Sequence, residues 1–161
     1  MNALRYIRRS SILALLTIAV IGVPIARAKI SDDQVKSAGA IKLTTDLLDK
    51  MSTVAKAVRA DEAARTEMAA VNAADMESSI AGINSKCPKA LVYFKEAGIT
   101  PEELMKGMSA MLACFMDDGG ELANSSNETA KANAEFVKAN KDRVDKVGGE
   151  VMAISQPPDA K

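Results

Sequence analysis

Met105, Met108, Met111 and Cys114 follow one another at steps of three. Their types and spacing are the nearest this chain comes to a chemical constellation. Thioethers and thiolates are soft ligands that select Cu(I). Side chains at i and i+3 of a helix are neighbours. The plainer use of the pattern is packing, because methionine is flexible, polarisable and fills irregular gaps in cores. A helical turn takes more than three residues, so steps of three drift backward and spread the four sulfurs over about half the circumference. Packing is therefore the expected role, with Met108, Met111 and Phe115 beside Leu104 and Leu112 on the inner face. Copper handling by Met105, Met108 and Met111 is the alternative; otherwise the sequence calls for no metal and no cofactor.

Cys87 and Cys114 are the two cysteines of the chain. An even number in an exported protein points to a disulfide. If the flanking helices fold back on each other at Ile99, position 87 comes roughly opposite Met111, one turn from Cys114. Closing that loop would contribute about 3.6 kcal/mol by chain entropy. The C-x-x-C spacing of redox-active thiols is missing.

Enzymatic chemistry has little to work with. Histidine is absent, which removes the commonest general base, metal ligand and haem ligand. No G-x-S-x-G elbow and no phosphate-cradling glycine motif occurs. The adjacent acids Asp32-Asp33, Asp61-Glu62 and Glu102-Glu103 lie where helices start and complement the helix dipole. Asp117-Asp118 precedes Gly119-Gly120, but the calcium-loop pattern is not matched. Asn124-Ser125-Ser126 and Asn127-Glu128-Thr129 fit the glycosylation pattern. A hydrolase working through carboxylates is the weakest reading, and the expected answer is that the chain is not an enzyme.

The compartment is written at the N-terminus. Arg5, Arg8 and Arg9 precede the apolar run Ile12 to Val23, and Ala26-Arg27-Ala28 follows. This is the layout of a cleavable signal peptide over residues 1–28, and the apolar run is short for a membrane span. The exported domain then covers 29–161 and is periplasmic or secreted. Both 21 basic and 21 acidic residues are present; four basic ones and no acidic one leave with the signal, so the mature charge is −4. Such a balance lacks the footprint of a nucleic-acid binder and offers anionic membrane no attraction.

Elements that hold these residues are all helical. The composition favours helix, and no stretch alternates at the period of a strand. Ser31 to Gln34 reads as a capping box. Ala40, Leu43, Leu47, Met51, Val54 and Val58 then recur at helical steps, predicting one long amphipathic helix from Asp32 to Arg59. Its Leu47–Met51–Val54 face is the candidate binding face, open to the bundle, to a partner or to a second copy. A thin, alanine-rich helical region runs to about Ile80, with Gly82 and Asn84-Ser85 suggesting a break. Cys87-Pro88 opens a third helix that Gly98 stops. Thr100-Pro101-Glu102-Glu103 opens a fourth. Asn140 is a candidate break in the last helical segment, Gly148-Gly149 its end, and 155–161 a flexible tail. The aromatics of the exported part, Tyr93, Phe94, Phe115 and Phe136, place the bulky core in the second half.

The fold class expected is all-α: a bundle-like domain of four to five helices with one disulfide. The function expected is non-enzymatic binding of a partner protein or an apolar ligand. Intact mass of the exported protein should show an N-terminus at Lys29, because Ala26 and Ala28 flank the cleavage site. Recovery of the uncleaved chain in washed membranes would show an anchor instead.

Overall fold

Helix starts and stops written in the sequence divide the chain more finely than its hydrophobic periodicity does. The computed structural model describes residues 30–71, 73–117 and 120–156. The segment 1–28 expected to be a signal peptide, Asp118-Gly119 and the Pro157-Pro158 tail lie outside these residues. Eight α-helices occur among them and no strand. They are α1 (Asp32–Ala38), α2 (Thr45–Ala60), α3 (Glu62–Ala69), α4 (Met76–Lys86), α5 (Pro88–Ala97), α6 (Pro101–Phe115), α7 (Glu128–Ala139) and α8 (Lys141–Ala153). A short 3-10 turn, Glu121–Asn124, sits between α6 and α7. No helix among the described residues is long and apolar enough to cross a membrane.

The all-α class holds, while the count of four to five helices is too low. The predicted helix from Asp32 to Arg59 is two helices. The Ser31–Gln34 capping box is present, with Gln34 N donating to Ser31 Oγ at 3.2 Å and Ser31 N to Gln34 Oε1 at 3.2 Å. After Gly39 the chain leaves the helix, and Thr44 caps a new one by accepting from Leu47 N at 3.1 Å. The intervening backbone needs partners, and Asn133 of α7 supplies them. Its Oδ1 accepts from Leu43 N at 2.8 Å, and its Nδ2 donates to Ala38 O and Ile41 O at 2.7 Å each. Asn133 is 1% exposed. Gly39 lies so close to α7 that a Cβ there would come within 2.4 Å of the Asn127 side chain.

Other boundaries follow from caps. Asp61 ends α2 and starts α3; its Oδ1 accepts from Ala63 N at 2.9 Å and Ala64 N at 3.1 Å, and its Oδ2 from the Tyr93 hydroxyl at 2.9 Å. The thin second region breaks at Asp75, the N-cap of α4, and α4 continues through Gly82 and Asn84-Ser85. Gly82 lies within α4 and is kept small by Val71; a Cβ there would lie 2.8 Å from Val71 Cγ1. Gly98 closes α5 with φ of 65°, and the Thr100–Glu103 capping box opens α6. Asn140 does separate α7 from α8, its Nδ2 donating to Phe136 O at 2.8 Å. Gly148-Gly149 does not end α8, which continues to Ala153.

The core is centred on α2. Leu47, Leu48, Met51, Ser52, Val54, Ala55 and Val58 are buried on it, and α3, α5 and α8 pack around them. Helix α6 reaches α2 at Gly107, where an added Cβ would sit 2.9 Å from the Met51 sulfur. Bulk does not concentrate in the aromatics: Phe94 is fully buried, but Tyr93, Phe115 and Phe136 are only partly so. A small second cluster of Ala38, Ala113, Leu122 and Ala130 joins α1, α6, the 3-10 turn and α7.

Asn133→Leu would leave three backbone groups without their partner, each worth about 1–3 kcal/mol when buried. The expected loss is about 3 kcal/mol or more. Urea unfolding checks it: the midpoint should fall with the slope unchanged, and an unchanged midpoint would show that the clasp is dispensable.

Candidate functional site

Helix α6 presents its methionines to different surroundings. Gly107 seats the helix against Met51, which turns Leu104, Ala110 and Met111 into the core. Met105 and Met108 then face sideways, toward the flanking helices α4 and α8. A cavity of about 210 Å³ opens there. Met68, Met105, Met108 and Met152 line it together with aliphatic side chains such as Ile83 and Val151, and with Ser79 and Ser155. A second hollow of about 370 Å³ shares Ser79, Met105, Met108 and Met152 and adds Asp75, Met76 and Leu112. The two form one groove lined by five thioethers. Met152 and Leu112 stand at its rim, each 51% exposed.

Most of the groove's polar side chains lie near helix ends; Ser109, within α6, is the exception. Asp75 caps α4, with Ser78 N and Ser78 Oγ both donating to its Oδ1 at 2.7 Å. Those two bonds, the hydroxyl's first, hold the Asp75 carboxyl below its ordinary range. Ser79 Oγ donates to Asp75 O at 2.8 Å, and Ser155 Oγ to Met152 O at 2.9 Å.

Of the sulfurs singled out by spacing, the groove gathers only Met105 and Met108. Met111 is buried in the core, and Cys114 lines a different cavity of about 440 Å³ with Phe115, Asp117, Lys138 and Lys141. Met68, Met76 and Met152 escape a spacing argument because they come from three other parts of the chain. The Leu47–Met51–Val54 face is covered by the protein's own core, so it is not an open binding surface.

The expected disulfide is not formed: Cys87 and Cys114 are free thiols. The reason is the path of the chain after Gly98. Helices α5 and α6 do not fold back as a pair; α5 packs against α2, α3 and α4, whereas α6 packs against α1, α4, α7 and α8. Cys87 sits at the start of α5 and gives it no side-chain cap, because its thiol is turned into the core. Glu67 of α3 takes over, its Oε2 accepting from Lys89 N at 2.9 Å and Ala90 N at 3.3 Å. Burial, with Asp117 adding to it, pushes the Cys114 thiol up to about 11. Burial also raises Cys87. Neither is an activated nucleophile.

The acid pairs are engaged where helices begin. Asp32, Asp33, Glu62, Glu102 and Glu103 lie in first turns, and Asp117 accepts from Glu121 N at 2.8 Å and Leu122 N at 3.0 Å, capping the 3-10 turn. No three His, Cys, Asp or Glu side chains among the described residues are placed to share a metal. Ser52 donates to Glu150, and Lys56 lies 3.6 Å from the same carboxylate, which ties α2 to α8.

No family model matches this chain, and neither does a curated protein or a solved structure.

Free thiols, Cys87 buried and Cys114 half-buried, have two measurable consequences. Unreduced protein unfolded in denaturant should label at both cysteines. Stability should be flat toward pH 9 and fall above it: the unfolded chain releases thiol protons near the ordinary value of 9.0, while the folded chain holds them to higher pH. Denaturation series between pH 7 and 11 test this. One unlabelled pair, or stability that rises with pH in that window, would contradict the free-thiol structure.

Proposed function

We propose that this chain is an exported, non-enzymatic helical protein that holds an apolar ligand, or an apolar side chain of a partner protein, in the methionine-lined groove. The observation that carries the reading is the groove itself. Thioethers from α4, α6, α8 and the end of α3 surround space instead of filling it. Methionine used as core filler closes such gaps; methionine used on a binding surface adapts to what enters. The groove carries one charged side chain, Asp75, at its outer end. Its inner part suits an apolar occupant. Mild acidity argues against nucleic acid as the partner.

Cu(I) handling is the second reading, with a changed ligand set. Met111 and Cys114 drop out, and Met68, Met76 and Met152 join Met105 and Met108. Thioethers carry no proton to lose, so such binding would be insensitive to pH.

Native mass spectrometry of the protein purified from its host separates the readings. An organic adduct should be present on the wild type. It should be absent from Met108→Arg, which puts a charged chain into the groove from a half-buried position and should leave the helical circular dichroism unchanged. An adduct of copper mass supports the second reading. An adduct that survives Met108→Arg would show that the ligand sits elsewhere.

A further inference from the structure

The chemistry of the groove narrows its ligand. Its inner part holds no charged side chain. Its size suits one or two rings: an engineered apolar cavity of about 150 Å³ takes benzene, and this one measures about 210 Å³. Sulfur packs favourably against aromatic rings. Three hydroxyls reach the groove: Ser79 in both parts, Ser155 in the inner part and Ser109 in the outer part. The Ser79 hydroxyl has given its proton to Asp75 O, and the Ser155 hydroxyl to Met152 O, so each of these two offers a ligand a lone pair. Asp75 stands at the outer end with Ser79; its Oδ1 takes both bonds from Ser78 and its Oδ2 takes neither. No lysine or arginine lines either part of the groove. A carboxylate ligand would meet a negative charge with no cation to offset it, whereas an ammonium group would meet complementary partners.

We infer that the groove takes a small aromatic amine: the ring lies among Met68, Met105, Met108 and Met152, and the ammonium group lies against Asp75 and the Ser79 hydroxyl. This rests on the groove being the binding site.

Three probes with one ring system and different heads test it on the full chain: tryptamine, indole and indole-3-propionate. The protein has no tryptophan, so probe fluorescence reports binding directly. Tryptamine should bind about fivefold more tightly than indole, the size of a partly exposed ion pair, and indole-3-propionate should bind weakest. High salt should shrink the tryptamine advantage. Asp75→Asn keeps an effective N-cap and removes the charge. In that variant tryptamine should fall to the level of indole, with indole unchanged and the circular dichroism retained. Equal binding of the three probes, or a tryptamine preference that survives Asp75→Asn, would overturn the amine and leave the groove standing as an apolar site. Failure of all three to bind would overturn both.

Discussion

Helix α2 carries an apolar face too wide for one neighbour to cover, and the architecture answers that constraint. Its buried residues run around more than one side, from Leu48 through Met51 to Val58. A single antiparallel partner would bury one stripe. Here α3, α5 and α8 pack around it, and α6 closes in at Gly107. Covering one cylinder from several directions favours short helices that change course, hence the caps at Thr44, Asp61, Asp75 and Thr100. Polar links between α2 and α8 add orientation: Arg143 pairs with Asp49, and Ser52 bonds Glu150.

Local chemistry is legible in the sequence at the Ser31–Gln34 capping box, at Thr100-Pro101 with the acids that follow it, and at Pro88 and Gly98 around α5. The Asp75–Ser78 capping box, set in a stretch with a thin apolar stripe, is not read from the sequence. Periodicity misled at the start of the chain because Ala40 and Leu43 continue the helical spacing across a segment that is not helical. Gly39 and Thr44 mark the break locally, but the partner that holds the open segment between them, Asn133, is far away in sequence. Glycine misled in the other direction. Gly82 is kept small by Val71, and Gly148-Gly149 lie within α8 although each costs about 1 kcal/mol there relative to alanine. The disulfide expectation failed on topology: Gly98 announces that α5 stops, but not that α6 leaves in another direction.

The candidate site was half legible. Met105 and Met108 were visible as part of a sulfur pattern on one helix, and the drift of steps of three already implied that the four sulfurs diverge. Which two would remain together depended on Gly107, whose close approach to Met51 fixes the rotation of α6 about its own axis. The groove exists because α4 is a poor filler. Of its apolar residues only Ile83 is buried, so the space beside Met105 and Met108 is walled but not closed.

The Asn133 clasp bears on the order in which the chain acquires structure. Its three bonds join residues 90 to 95 positions apart. A chain delivered from its N-terminus presents Ala38, Ile41 and Leu43 long before Asn133 arrives, and until then their backbone groups can be satisfied only by water. The connection between α1 and α2 is therefore among the last parts to lock, and contacts of such sequence separation slow folding because loop entropy must be lost before they reward it. The N-terminal segments therefore lack their final anchor until most of the polypeptide is in place.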